Sequence, residues 1–317
     1  MNNWLPVAAS EIASKVDGVL IAVTVISFIF FIIVSVALVV LAVKYRRRGL
    51  GESTPPITGN ETLEIIWTVI PSIILVAIFI HGLVVFNELR RPPSEAFEVN
   101  VVARQWLWEF EYPDGRKTVN ELNVRQNMPV KMIMRSAEGD VLHSFFIPAF
   151  RVKQDILPGR FTQLWFTPTK VGSFIIFCAE YCGSGHSQML GRVNVMSPEA
   201  FARWEGKGSS GEVAGGGLSS LPSNKRGEKL YSNRGCNACH SIDGSDGIAP
   251  TFKGLFGRME KLTDGSEVRA DENYIIESIY EPQVKMVAGY QPVMPSFKGI
   301  LSEAEVSDII EYVKTLE

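Results

Sequence analysis

The run Ser173-Phe174-Ile175-Ile176-Phe177-Cys178-Ala179-Glu180-Tyr181-Cys182-Gly183-Ser184-Gly185-His186-Ser187-Gln188-Met189 begins as a β-strand and ends as a loop full of donor atoms. Its first residues are apolar and β-prone, the composition of a strand in a buried sheet. From Cys178 onward two Cys, one His and one Met fall within 12 positions. Thiolates and thioethers are soft ligands and imidazole is borderline, a set that suits copper. Zinc would favour closed Cys/His ligation without Met. A disulfide between Cys178 and Cys182 is the competing reading, which an oxidising compartment would allow, but it leaves His186 and Met189 unexplained. Another imidazole stands upstream at His143, where the β-like run His143-Ser144-Phe145-Phe146-Ile147 starts. Alone it reads as a core residue; with the loop it completes a copper set.

Around this stretch the sequence reads as short strands. Trp106-Leu107-Trp108-Glu109-Phe110-Glu111-Tyr112 places aromatics at every second position until Pro113-Asp114-Gly115 turns the chain. Phe97–Val102, Val130–Arg135, Phe161–Phe166, Phe174–Phe177 and Arg192–Met196 are further β-rich runs, separated by turn signals such as Glu138-Gly139-Asp140 and Pro158-Gly159. Strands at that spacing predict a β-sandwich or barrel over residues 91–205.

Further out, the 46% hydrophobic content of the 317 residues proves unevenly spread. Gly18 to Val43 is 26 residues without a charge, about 39 Å of helix at 1.5 Å per residue, enough to cross a hydrocarbon core of about 30 Å. A signal peptide has a shorter apolar core after a basic start, so a retained span is expected, with cleavage of a precursor left open. Lys44-Tyr45-Arg46-Arg47-Arg48 follows as a cytoplasmic-side basic cluster. A second apolar run, Ile65 to Phe86, contains Pro71 and His81; His81 sits near the far end, where it can reach the interface. Residues 1–90 are therefore expected to form a two-helix transmembrane hairpin, with both termini and everything after residue 87 extracytoplasmic. The 31 basic and 34 acidic residues give a net charge of −3, no footprint for nucleic acid. Four Cys are too few for a disulfide scaffold.

Residues 206–223 hold six Gly and five Ser in 18 positions, a composition expected to act as a linker with an r.m.s. span of about 25 Å. Beyond it, residues 224–317 read as helical, with a capping box at Ser302-Glu303-Ala304-Glu305 ahead of apolar Val306, Ile309, Ile310 and Val313. This module carries 11 basic and 15 acidic residues, which suggests a basic or neutral partner face. Gly235-Cys236-Asn237-Ala238-Cys239-His240 is the Cys-x-x-Cys-His signature of covalent haem attachment; a redox dithiol is the alternative. Two thiols on one turn meet two vinyl groups, and the next residue presents imidazole to the iron. Met/His ligation would make a carrier of high potential.

The N-terminal 17–197 portion resembles cytochrome c oxidase subunit II, on the two spans, the Gln105–Tyr112 strand, the His143-Ser144-Phe145 segment, the Asp155-Ile156-Leu157-Pro158-Gly159-Arg160 turn and the Cys/His/Met loop. The resemblance implies a cupredoxin sandwich with a mixed-valence dinuclear copper centre of the CuA type, bridged by Cys178 and Cys182. One copper would take His143 and Met189, the other His186 and the backbone carbonyl of Glu180. It also implies a magnesium ion on the Glu180 side chain at a subunit boundary, Trp106 (with Trp108 as neighbour candidate) as the exposed point that receives electrons, and Glu64 at a proton-channel mouth. The C-terminal module resembles class I cytochrome c domains, all-α, in which Pro250 would pack near the haem and Met294 would be the sixth ligand, with Met286 as the alternative.

Together these imply a multidomain membrane protein of the caa3 arrangement in a bacterial cytoplasmic membrane. Haem c would accept electrons from a donor such as a cytochrome c or an upstream respiratory complex and pass them to CuA. A separate catalytic subunit I would then reduce O2 and pump protons. The small subunit of a copper-containing nitric oxide reductase and a stand-alone membrane-anchored carrier are the rival readings.

Overall fold

The structure, a computed structural model, describes residues 5–49, 59–206, 221–245 and 247–317. Residues 12–91 form one compact unit; residues 92–317, with the short N-terminal arm, form the other. Most of the expected linker at 206–223 lies outside the described residues.

The first unit is two helices, α1 (Glu11–Lys44) and α2 (Glu61–Arg90). The expected spans at 18–43 and 65–86 lie inside them. The additional turns are polar: Glu11, Lys15 and Asp17 extend α1, and Glu61 to Glu64 with Glu88 and Arg90 extend α2. Hydropathy cannot see such turns, because charged residues are good helix formers that carry no apolar signal. Asn60 caps α2 by accepting from the Leu63 amide at 3.1 Å, with Glu61 and Glu64 in its first turn, where the helix dipole favours negative charge. Inside the apolar stretches Thr24 donates to the Leu20 carbonyl at 2.7 Å and Ser72 to Thr68 at 2.6 Å, so their hydroxyls need no water. Large apolar side chains project outward along both helices, the surface a bilayer would cover. His81 is exposed in the last third of α2.

In the second unit ten strands come first: β1 (Phe97–Arg104), β2 (Leu107–Glu111), β3 (Lys117–Val119), β4 (Glu121–Arg125), β5 (Val130–Ser136), β6 (His143–Ile147), β7 (Val152–Ile156), β8 (Thr162–Phe166), β9 (Gly172–Cys178) and β10 (Leu190–Met196). They form two five-stranded sheets, ordered β3-β2-β1-β5-β8 and β4-β10-β9-β6-β7. The aromatic alternation of the sequence fills the space between them. Trp108, Phe110 and Phe145 are fully buried, with Trp108 and Phe145 edge to face at 5.1 Å. A helix the sequence reading missed, α3 (Pro198–Gly206), packs Trp204 against Tyr112 at 4.8 Å, and Arg116 covers the Trp204 ring at 4.3 Å.

The C-terminal part has α4 (Ser223–Asn233), α5 (Glu272–Tyr280) and α6 (Glu303–Val313). It also holds a small hairpin absent from the all-helical expectation, β11 (Met259–Lys261) with β12 (Glu267–Arg269). Asp264 makes the hairpin by accepting the Ser266 amide at 2.9 Å, an Asx turn whose next position is Gly265. The expected capping box at Ser302 and Glu305 is present. Helices α4 and α6 cross at Gly227, where a Cβ would lie 2.0 Å from the Asp308 carbonyl oxygen. Arg226 fixes the crossing with two 2.6 Å bonds to the Asp308 carboxylate. A Gly227→Ala substitution must push two backbones apart, an overpacking that costs about 1–3 kcal/mol. Thermal unfolding of the full chain should show the C-terminal module melting earlier; an unchanged transition would mean the crossing has slack.

Candidate functional site

Strand register brings the loop donors together. In the second sheet β6 and β9 are antiparallel with Phe145 opposite Cys178, and β10 pairs with β9 with Leu190 opposite Phe177. The start of β6, the end of β9 and the residue before β10 therefore meet at one sheet end, carrying His143, Cys178 and Met189. The loop returns Cys182 and, on a short helical turn, His186.

The Cys178 and Cys182 sulfurs are 3.8 Å apart, not disulfide-bonded, since an S–S bond is about 2.05 Å. His143 Nδ1 lies 3.9 Å from Cys178 Sγ and His186 Nδ1 lies 3.5 Å from Cys182 Sγ. Met189 Sδ is 3.7 Å from Cys182 Sγ, and the Glu180 carbonyl oxygen is 3.2 Å from Cys178 Sγ. His143, Cys178, Cys182 and Met189 are buried. The donor set, two sulfurs between two imidazoles, a thioether and a carbonyl, fits soft metal ions such as copper.

Hydrogen-bonded by Cys182 and by His143, the Cys178 thiol falls to about 3, whereas Cys182, donating to that thiolate, is pushed far up. One thiolate thus forms readily, and the second forms when a cation arrives. Burial pushes His143 down, but hydrogen bonds to Asp140 and Cys178 prevail and leave it raised. Its Nε2 lies 3.4 Å from Asp140 Oδ1, which turns Nδ1 toward the sulfur.

Around the donors stand residues that no local sequence pattern marks. By sequence Asp140 is only a turn residue; it holds His143 and also accepts the Gln105 amide at 2.8 Å. Gln105 Nε2 and Trp106 Nε1 both donate to the Cys182 carbonyl, at 2.6 and 3.0 Å. The one available signal was Asp140 three residues ahead of a candidate ligand.

The other candidates are distributed as follows. Trp108 is fully enclosed, its ring 6.3 Å from His143; it is a core residue and cannot be the exposed point that receives electrons. Trp106 is 7% exposed; its ring packs against Gly183 and Gly185 of the donor loop and lines the cavity of the C-terminal module. The Glu180 carboxylate is half-exposed with Lys153 at 3.7 Å. Glu64 stands exposed in the first turn of α2, in the other unit.

The C-terminal module encloses a mostly apolar cavity lined by Cys236, Cys239, His240, Pro250, Met294 and Met286. Cys236 to Ala238 is one tight turn, from which the Cys239 and His240 amides both return to the Cys236 carbonyl. Burial pushes the Cys236 thiol up to about 12 and the Cys239 thiol up to about 11, so both are neutral. His240 is pushed down by burial and donates from Nδ1 to the Pro250 carbonyl at 2.7 Å, leaving Nε2 free to ligate. Phe252 stacks on its ring at 4.4 Å. Two thiols, a preset imidazole, two thioethers and apolar walls fit a covalently held haem. Gln105, Trp106 and Leu107 of the sandwich complete the cavity wall.

A two-helix anchor bearing a β-sandwich with soft donors and a haem-binding module defines a membrane-bound electron carrier. The sequence matches three families: "Cytochrome C oxidase subunit II, transmembrane domain" over residues 1–85, "Cytochrome C oxidase subunit II, periplasmic domain" over 116–196, and "Cytochrome c" over 224–317. It is 30% identical over 337 aligned positions to cytochrome c oxidase subunit 2 of Bacillus subtilis, covering 98% of this chain and 90% of the relative. It is 29% identical to that of Alkalihalophilus pseudofirmus, covering 95% and 86%. A crystal structure of the periplasmic domain of subunit II of cytochrome oxidase from Bradyrhizobium japonicum is 30% identical over 36% of this chain and 94% of that one, with a TM-score of 0.34. The chain belongs to the cytochrome c oxidase subunit II family and carries a C-terminal cytochrome c domain. It is an electron-transfer subunit of a haem–copper oxidase, anchored in a membrane with its soluble part outside.

Asp140→Asn keeps the shape but weakens the grip on His143. Loss of such an outer partner typically costs 10–100-fold in metal affinity, so chelator competition on the full chain should show weaker copper retention. Wild-type retention would remove Asp140 from the site.

Proposed function

We propose that the chain carries single electrons from an external donor, through a haem held by Cys236, Cys239, His240 and Met294, to a dinuclear copper centre. That centre is held by His143, Cys178, Glu180, Cys182, His186 and Met189. The chain then delivers them to the haem of a separate catalytic subunit, where O2 is reduced to water and protons are pumped. When bound, the haem and the copper centre would each supply a one-electron redox couple. The observation that carries this reading is the double engagement of one short segment: Gln105 and Trp106 wall the haem cavity and both grip the carbonyl of the copper ligand Cys182.

The protein's own part is to hold donors rigidly and to keep water away. Burial of His143, Met189 and the two thiols excludes solvent from the copper donors, and burial with the Pro250 bond keeps His240 neutral and oriented. By this reading Trp106 receives electrons from the chain's own haem module rather than directly from an external carrier. Glu180 would reach a magnesium ion shared with the catalytic subunit only by leaving Lys153, and Glu64 would sit at the mouth of that subunit's proton channel. The setting is a bacterial cytoplasmic membrane crossed twice, with both termini outside.

The purified complex should consume O2 and not nitric oxide; nitric oxide consumption would transfer the chain to the reductase reading. Both methionines wall the cavity, so they are separated by substitution. Met294→Leu should abolish the low-spin Met-ligated haem spectrum and Met286→Leu should leave it intact, and the reverse pattern would exchange their roles.

A further inference from the structure

The wall shared by the two modules is built around one buried cation. Arg234 follows the last residue of α4 and stands one residue before the attachment turn. Its side chain is 4% exposed, with one guanidinium nitrogen 2.7 Å from Glu305 of α6 and another 3.6 Å from Glu121 of β4. Glu305 belongs to the haem module and already closes the capping box with Ser302. Glu121, itself 9% exposed, is the partner from the sandwich. Next to this pair Gly235 adopts φ +80°, and a Cβ there would lie 2.4 Å from Asn120 Nδ2. Asn120 cannot move aside, because its Oδ1 accepts the Trp108 amide at 2.8 Å. Leu107 and Val119 of the sandwich are buried in the same apolar cluster as Leu301 and Phe297 of the haem module. The seam is thus apolar, close-packed at Gly235, and carries an ion pair that exists only when the modules meet.

We propose that Arg234 is a positioning residue that locks the haem-attachment turn onto the sandwich through Glu121, setting the pose in which Gln105, Trp106 and Leu107 close the cavity. The proposal rests on the electron route above. An undocked pose separates Arg234 from Glu121 and returns both to water, while a rotated pose leaves at least one buried without its partner, a strongly unfavourable arrangement. Arg234 therefore selects one orientation rather than merely adding adhesion.

The test uses the full oxidase complex with both redox groups bound. Glu121→Gln removes the charge across the seam and leaves the capping box and every ligand in place. It should raise deuterium uptake several-fold at 107–121 and 230–236 and slow light-triggered haem-to-copper transfer by about tenfold, with both metal spectra unchanged. Leu107→Ala, on the apolar side of the seam, should loosen the same segments. Glu305→Ala should raise uptake at the start of α6 as well, because it also opens the capping box. Wild-type uptake in Glu121→Gln would overturn the lock, the more so where Leu107→Ala shows that the same segments can open. The expected rise in uptake in the variants, with no haem-to-copper transfer in the unmutated complex, would reject the electron route and leave the seam standing.

Discussion

A single carbonyl organises this protein. The Cys182 oxygen accepts from Gln105 Nε2 and Trp106 Nε1, so the donor loop is tied to the residues that enter β2. Each bond contributes about 0.5–1.5 kcal/mol net, a modest amount. Their weight lies in orientation: they fix the Cys182 backbone, and with it the sulfur that stands 3.8 Å from Cys178 and 3.5 Å from His186. The same two residues form one wall of the haem cavity. A displacement on either side of that carbonyl is felt at both sites.

Rigidity elsewhere follows from sheet register. Three of the donors leave strand ends that antiparallel pairing holds side by side, and interiors packed with Trp108, Phe110 and Phe145 resist deformation. Only the segment from Ala179 to Gln188 is loop, and it is pinned by the Ala179 amide on the Ser144 carbonyl at 2.9 Å and by the Cys182 carbonyl. A carrier of single electrons needs its ligands to stay where they are in both oxidation states. A sandwich end with a short, twice-anchored loop meets that need better than a free loop would.

The sequence reading reached the donors, the attachment motif and the helix pair because each is announced locally, by spacing, by period or by an uncharged run. It missed what depends on distant chain segments meeting. Asp140 looked like a turn residue because nothing local says that its carboxylate will face His143. The pair Trp106 and Trp108 shows the limit of period-two reasoning: alternation puts both on one face, and Trp108 does enter the core between the sheets. Trp106, however, precedes β2, so the pleat does not govern it, and its ring turns to the donor loop and the haem module instead. Leu107 and Val119 were ordinary strand residues until the topology laid the haem module over them. Short strands such as β3 carry too few residues for any period to register.

The seam between the modules joins an apolar cluster to one buried ion pair. The modules belong to one chain, so their association is intramolecular and needs little intrinsic affinity to be populated. What covalent linkage cannot supply is orientation, since many faces of the haem module could touch the sandwich. The module's acidic balance of 11 basic against 15 acidic residues gives no strong preference among them. An apolar contact alone slides, because the hydrophobic effect is non-directional. A buried guanidinium held between Glu305 and Glu121 does not slide: away from one register it loses a partner while still desolvated. The charge pair is therefore best understood as a constraint on angle. It sits one residue from the attachment turn because rotation there would most directly move Cys236, Cys239 and His240 relative to Trp106.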